Sequence, residues 1–274
     1  MMEIGCSTIC FRKLGVNEAL ERIVDLGFRS VDIGMVRGFC PHFDPLAATE
    51  PERDEFVERV SALPLDVATL NVGQGALNKP GERDGQMEFV RSCLELASRL
   101  GCYAVTCQPG VPAREDWDSE AVPVATDLAE LAGHAGELGL MLTIEAPHRG
   151  TFVTRAEQAR MLIELSGSGN LYMALDTSHV MCGGTQPSEA VELLGDRVGH
   201  VHLRDAVGSD ILVTPGDGEV DFLAFRDSLG KIGYDGVLTL ELEYEDKDED
   251  QTAGEVLRAR DYLESLWRKG DGMM

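Results

Sequence analysis

Positive charge is what this chain has least of: 24 Lys and Arg stand against 48 Asp and Glu, a net charge of −24. A surface of that sign repels nucleic-acid backbones and anionic membranes, whose attraction depends on Lys and Arg neutralising phosphates. Neither is therefore expected as a partner. No stretch approaches the ~18 consecutive apolar residues that a membrane-spanning helix requires. The opening MMEIGCSTIC lacks the basic, apolar and small-residue pattern of a secretion signal. Seven cysteines (Cys6, Cys10, Cys40, Cys93, Cys102, Cys107, Cys182) are scattered and form no CxxC pair. Their pattern argues against a disulfide framework or a thiolate zinc site, and fits small buried side chains in a reducing cytoplasm, the expected location. No linker rich in Pro, Gly and Ser divides the chain, and the acidic tract EYEDKDED at 243–250 reads as a solvated loop. One domain over 1–274 is the expectation.

What is present is a regular alternation. β-rich runs fall near 3–8, 30–34, 66–72, 102–107, 140–145, 171–176, 198–203 and 236–242. Helical patterns fall at about 17–26, 51–62, 84–100, 119–138, 154–165, 187–194, 222–231 and 251–268. Such alternation is the signature of parallel α/β architecture. Four segments, DLGF (25–28), RLGC (99–102), ELGL (137–140) and KIGY (231–234), put Gly where a helix ends in a left-handed turn. Eight strands and eight helices suit a closed (β/α)8 TIM barrel, which takes about 250 residues. The rival, a doubly wound open sheet, carries a Gly-rich phosphate turn after its first strand, and STICFRKLG supplies none.

Four residues stand where hydrophobic runs stop: Glu145 after LMLTI, Asp176 after LYMAL, His202 in VGHVHLRD and Glu241 after GVLTL. Their spacings of 31, 26 and 39 residues each match a strand, a helix and their loops. The C-terminal ends of barrel strands converge on one mouth. Two Glu, one Asp and one His meeting there form a site for a divalent metal with hard oxygen ligands and one nitrogen.

The stretches IEAPHRGT (144–151), LDTSHV (175–180), HVHLRDA (200–206), PGDGEVDF (215–222) and GYDGVLTLE (233–241) occur in this order. Together they resemble the xylose-isomerase-like barrels of the sugar-phosphate isomerase and epimerase superfamily, and the alternation extends the resemblance over nearly the whole chain. The resemblance implies one divalent ion bound by Glu145, Asp176, His202 and Glu241. Mn²⁺ is the foremost candidate, with Mg²⁺, Co²⁺ or Zn²⁺ as alternatives. It also implies that His179, three residues after the aspartate, contacts substrate. His200 and His202 share one barrel face, as do Glu241 and Glu243; the family pattern selects His202 and Glu241, the latter five residues after Gly236. Many relatives form dimers or tetramers, which leaves a homodimer or homotetramer open here.

A ketose or inosose gripped through its carbonyl and an adjacent hydroxyl suits such a site. The cation stabilises the enediolate, while one carboxylate takes the α-proton and another returns it. Glu145 and Glu241 are the expected catalytic pair. His179, Arg204, His148 and Asn71 are the candidate substrate contacts, with Gln108 a further hydroxyl donor and Asp205 standing behind the ligands. Arg204 reads as an anion or hydroxyl contact. His148 and Arg149 either close over substrate or decorate their loop, and Arg37 is a further candidate for an anion. Asp32, ending the second strand, reads as a structural hydrogen bonder, and His42 as a loop residue near the mouth. His134 lies in a helical pattern. Phe11, Phe39 and Phe43 sit on loops that could line the pocket. PGDGEVDF reads as the turn after strand seven, with phosphate cradling the weaker alternative because Asp217 and Glu219 flank its glycines.

Three other readings compete. Dehydration of an inosose would use the same four ligands. A DNA-repair endonuclease of the superfamily would need more histidines than the six present and opposes the net charge. A non-catalytic sugar- or partner-binding barrel would have no need of an intact ligand set.

Overall fold

The computed structural model describes residues 2–114, 116–148 and 150–271. Eight parallel strands form the ring: β1 (Ile4–Ser7), β2 (Ser30–Val36), β3 (Asp66–Gly73), β4 (Ala104–Cys107), β5 (Met141–Glu145), β6 (Leu171–Asp176), β7 (Val198–Leu203) and β8 (Leu238–Leu240). Each pairs with the next, and β8 pairs back onto β1, so that Cys6 lies opposite Val31 on one side and Leu240 on the other. The helices alternate with them: α1 (Val16–Asp25), α2 (Glu50–Ser61), α3 (Pro80–Leu100), α4 (Trp117–Glu137), α5 (Ala156–Ser166), α6 (Pro187–Leu194), α7 (Phe222–Ile232) and α8 (Glu249–Asp271). The chain is thus the closed, single-domain TIM barrel that the alternation implies. All four repeated helix exits hold their glycine, Gly27, Gly101, Gly139 and Gly233, at positive φ.

Two of the further elements bear on the site. A short helix, Thr177–Cys182, starts directly on Asp176, whose Oδ1 accepts from the amides of Ser178 (2.8 Å) and His179 (3.1 Å). An antiparallel hairpin, Asp205–Val207 with Asp210–Val213, stands between β7 and PGDGEVDF, so that segment follows a hairpin and not the strand itself.

Alternation along the strands sorts residues by chemistry. One set, including Val31, Ile33, Leu70, Val72, Val105, Leu142, Ile144, Met173, Leu175, Val201 and Leu203, belongs to the hydrophobic core shared with the helices. The other set is polar: Ser7 is paired with Asp32, Asp32 with Thr69, Thr106 with Thr143, and His202 with Thr239. Barrel interiors are usually filled by bulky branched residues. Here the interior is a polar column, and the mouth residues stand on top of it. All seven cysteines are free, six of them buried. Among the described residues, no helix is long and apolar enough to cross a membrane.

Asp205 organises the PGDGEVDF segment. Its buried carboxylate accepts from the backbone amides of Ala206 (2.9 Å), Gly216 (2.9 Å), Gly218 (3.0 Å) and Val220 (3.0 Å). These amides form an anion nest already filled by the protein's own carboxylate, which removes the basis for a phosphate cradle there. A Cβ on Gly218 would fall 2.2 Å from Asp205 Oδ1, so the loop can wrap the carboxylate only with glycine at that position. Replacing Asp205 by Ala orphans four amide donors, two of them in buried bonds, and is expected to destabilise the fold by about 3 kcal/mol or more. Asp205→Asn, which keeps one oxygen acceptor, should lose less. Urea unfolding of the two variants checks both the loss and its order.

Candidate metal centre

Glu145 closes β5, Asp176 closes β6, His202 is the penultimate residue of β7, and Glu241 follows β8 directly. A potential ligand atom of each lies within 4.8 Å of those of the other three. All four side chains are buried. The structure therefore brings together the four residues expected at the strand ends. His202 Nδ1 faces the carboxylates, 3.0 Å from Glu145 Oε1 and 3.3 Å from Glu241 Oε2.

Each glutamate has two differently placed oxygens. Glu145 Oε1 is turned to His202, while its Oε2 accepts from the Gln108 amide at 3.3 Å. Glu241 Oε2 is turned to His202, and its Oε1 accepts from the Asn71 amide at 3.1 Å. Asn71 and Gln108, expected as hydroxyl donors at the mouth, thus hold the outer oxygens of the two glutamates. Their electrostatics diverge. Burial raises Glu145, but the hydrogen bond from His202 and the neighbouring His148 and His179 bring it well below the usual carboxylate range. Burial also raises Glu241, and the nearby Glu145 adds to it, so that group is held well above the range despite His202.

Arg204 is buried beside the cluster. Its Nη2 donates to Asp176 Oδ2 at 2.6 Å and lies 3.6 Å from Glu241 Oε2, while Nη1 is 3.1 Å from Glu243 Oε2. Burial would raise Asp176, yet Arg204, followed by His179 and the Ser178 bond, holds it far below the ordinary carboxylate value. The partners of Arg204 are carboxylates, where the sequence suggests a contact to an anion or hydroxyl of the substrate. His179 is buried with Nε2 3.4 Å from Arg204 Nη2, and burial pushes its pKa down to about 3, leaving the ring neutral. His148 lies over it with ring centroids 3.7 Å apart and its Nε2 3.8 Å from Glu145 Oε2. These two imidazoles form a wall on the Glu145 side.

Other candidates stand elsewhere. His42 Nδ1 bonds Thr8 Oγ1 at 2.9 Å and is outside the four-ligand cluster. Phe11 is wholly buried, Phe43 stacks on Phe56 with centroids 4.2 Å apart, and Phe39 lies under the Arg12 guanidinium. Arg37 is paired with Asp44. His134 lies in α4, 3.7 Å from Glu137. Arg149 falls outside the described residues. Two groups to which the sequence gives little weight lie against the cluster: Asp32 Oδ2 is 3.3 Å from His202 Nε2 and 2.6 Å from His200 Nε2. The available signal is the parity that puts Asp32, His200 and His202 on the interior face.

The chain belongs to the xylose isomerase-like TIM barrel family, whose model matches residues 20–266. It is 28% identical over 192 residues to the inosose dehydratase of Geobacillus kaustophilus (strain HTA426), covering 58% of this chain and 61% of that enzyme. The chain thus matches less than two thirds of that relative's length. Among solved structures, an L-ribulose 3-epimerase superposes with a TM-score of 0.79 at 21% identity, covering 100% of this chain and 98% of that one. The IolI protein with a bound zinc atom superposes with a TM-score of 0.79 at 19% identity, covering 96% and 98%. At those identities the structural likeness shows the fold.

Removing the guanidinium leaves Asp176 buried without its cation. Arg204→Met is expected to destabilise the chelator-treated protein by about 3–5 kcal/mol, read by urea unfolding. A loss below about 1 kcal/mol would mean that Asp176 does not depend on Arg204.

Proposed function

We propose that the chain is a divalent-metal-dependent sugar isomerase or epimerase that removes a proton beside the carbonyl of a ketose or related polyol-derived ketone. The observation that carries this reading is the convergence of Glu145, Asp176, His202 and Glu241 within 4.8 Å, with an outer oxygen left on each glutamate.

The donor set fits a divalent cation. Three carboxylates with one imidazole suit a hard to borderline ion, Mn²⁺ first and Mg²⁺, Co²⁺ or Zn²⁺ as alternatives. Charge supports the same reading: the ligand carboxylates outnumber Arg204, which stands beside Asp176, and a divalent ion would favour the ionised form of Glu241 that burial and Glu145 oppose. When bound, such an ion supplies Lewis acidity that stabilises negative charge developing on a carbonyl oxygen. Its four holders would be Glu145, Asp176, His202 and Glu241.

The residues themselves would move the proton. Glu145 and Glu241 stand at the ends of β5 and β8, three strands apart in the ring, and so flank whatever lies between them. One outer oxygen takes the proton and the other returns one from the opposite side. Return to the same carbon inverts it; return to the neighbouring carbon exchanges aldose and ketose. Asn71 and Gln108 donate to those oxygens and aim them. Neutral His179, beside His148, would accept from or donate to a substrate hydroxyl.

A second reading is favoured by the dehydratase relative: after the same proton is removed, a β-hydroxyl leaves as water, and the substrate is an inosose. Proton NMR separates the two. Chelator-stripped protein reloaded with Mn²⁺ in D₂O is expected to exchange the α-hydrogen of one member of a ketose and inosose panel. Glu145→Gln or Glu241→Gln should slow the exchange by about 10²–10⁴-fold. Deuterium incorporated with every hydroxyl retained marks isomerisation or epimerisation, and loss of water marks dehydration. A chain that binds no divalent ion would refute the enzyme reading and leave a sugar- or partner-binding barrel.

A further inference from the structure

A histidine that ligates a metal through one ring nitrogen is aimed by whatever its other nitrogen touches. His202 turns Nδ1 toward the glutamates, which leaves Nε2 pointing down the barrel. The group it meets is Asp32, on β2 across the interior, with Oδ2 at 3.3 Å. The same oxygen is 2.6 Å from His200 Nε2, and His200 Nδ1 is 2.6 Å from the Tyr103 hydroxyl. A file of side chains, His202, Asp32, His200 and Tyr103, therefore runs from the candidate metal centre along the polar column.

The partners of Asp32 are unusual for a structural carboxylate. It is wholly buried, its Oδ2 bonds His200 Nε2 and lies 3.3 Å from His202 Nε2, and neither its Oδ1 nor His202 Nε2 has a hydrogen-bond partner among the described residues. Among those residues no backbone amide and no guanidinium donates to it, unlike Asp205 in its nest or Asp176 beside Arg204. Burying a carboxylate in this way costs several kcal/mol unless it is matched by specific partners. Asp32 Oδ2 is the acceptor that His202 Nε2 meets, and an N–H···O bond there would leave Nδ1 as the nitrogen for a metal held among the ligand carboxylates. His200 and Tyr103 in turn fix Asp32 from the far side, where no backbone group does so.

We infer that Asp32 is a positioning residue for the metal ligand His202, and that His200 and Tyr103 hold Asp32 in place. This inference rests on the metal reading of the four-residue cluster. Asp32 acts through His202 and does not itself touch substrate.

The test uses the full chain, stripped by chelator and titrated with Co²⁺, followed by calorimetry and by the visible absorption of the bound ion. The unaltered chain is expected to bind one Co²⁺. Asp32→Ala should weaken binding by about 10- to 100-fold and alter the Co²⁺ spectrum. Asp32→Asn, whose amide oxygen still accepts from His202, should recover part of the affinity. His200→Gln should shift the spectrum with a smaller loss, and it carries the test together with Asp32→Asn if Asp32→Ala does not fold. Unaltered affinity and spectrum in these variants would overturn the inference while leaving the metal reading intact. So would two Co²⁺ per unaltered chain, because Asp32, His200 and His202 would then be ligands of a second ion. Absence of Co²⁺ binding by the unaltered chain would instead overturn the metal reading and this inference with it.

Discussion

Three carboxylates enclosed at one end of a barrel repel each other and have lost their water, and the rest of the site is arranged around that fact. Glu145, Asp176 and Glu241 are all buried and all within reach of one imidazole. In an interior of low effective dielectric such a group is tolerated only with matching cations and hydrogen bonds. Arg204 meets Asp176, His202 meets both glutamates, and amides from Asn71 and Gln108 take the outer oxygens. These contacts hold the cluster together, and its donor set is the one on which the proposed divalent-metal site rests.

The same demand reaches down the barrel. A ring of bulky aliphatic side chains beneath the mouth would give His202 nothing to donate to. The chain instead places Asp32, His200, Thr69, Thr143 and Thr239 on the interior face, and moves its aliphatic residues to the outer face of each strand, under the helices. Stability therefore comes from the strand–helix layer, and the axis is left to polar chemistry. Asp205 follows the same logic outside the barrel, where it gathers four amides and fixes the loop after the hairpin.

Much of this is legible in the sequence because it obeys short periodicities. Hydrophobic runs, helix patterns and the glycine exits place all eight strands and eight helices to within a few residues, and the strand ends expose Glu145, Asp176, His202 and Glu241. What escapes depends on contacts between residues far apart. Arg204 sits two residues from His202, which suggests a mouth residue; only the fold reveals that it reaches Asp176, 28 residues away. Asp32 and His200 lie 168 residues apart and meet only when the ring closes. The helix Thr177–Cys182 is too short to have a period, and its cue is the capping carboxylate of Asp176. Asn71 and Gln108 are placed at the mouth by the sequence, but the glutamate each one holds cannot be chosen without the register.

The most direct test of the metal centre is pulsed electron paramagnetic resonance of Mn²⁺ added to the chelator-stripped chain. One ion per chain with a single directly bound imidazole nitrogen, lost on His202→Gln, is the predicted result. Two imidazole nitrogens on the ion would contradict it by drawing in His200 or the His148–His179 pair, and unbound, aqueous Mn²⁺ would contradict it outright.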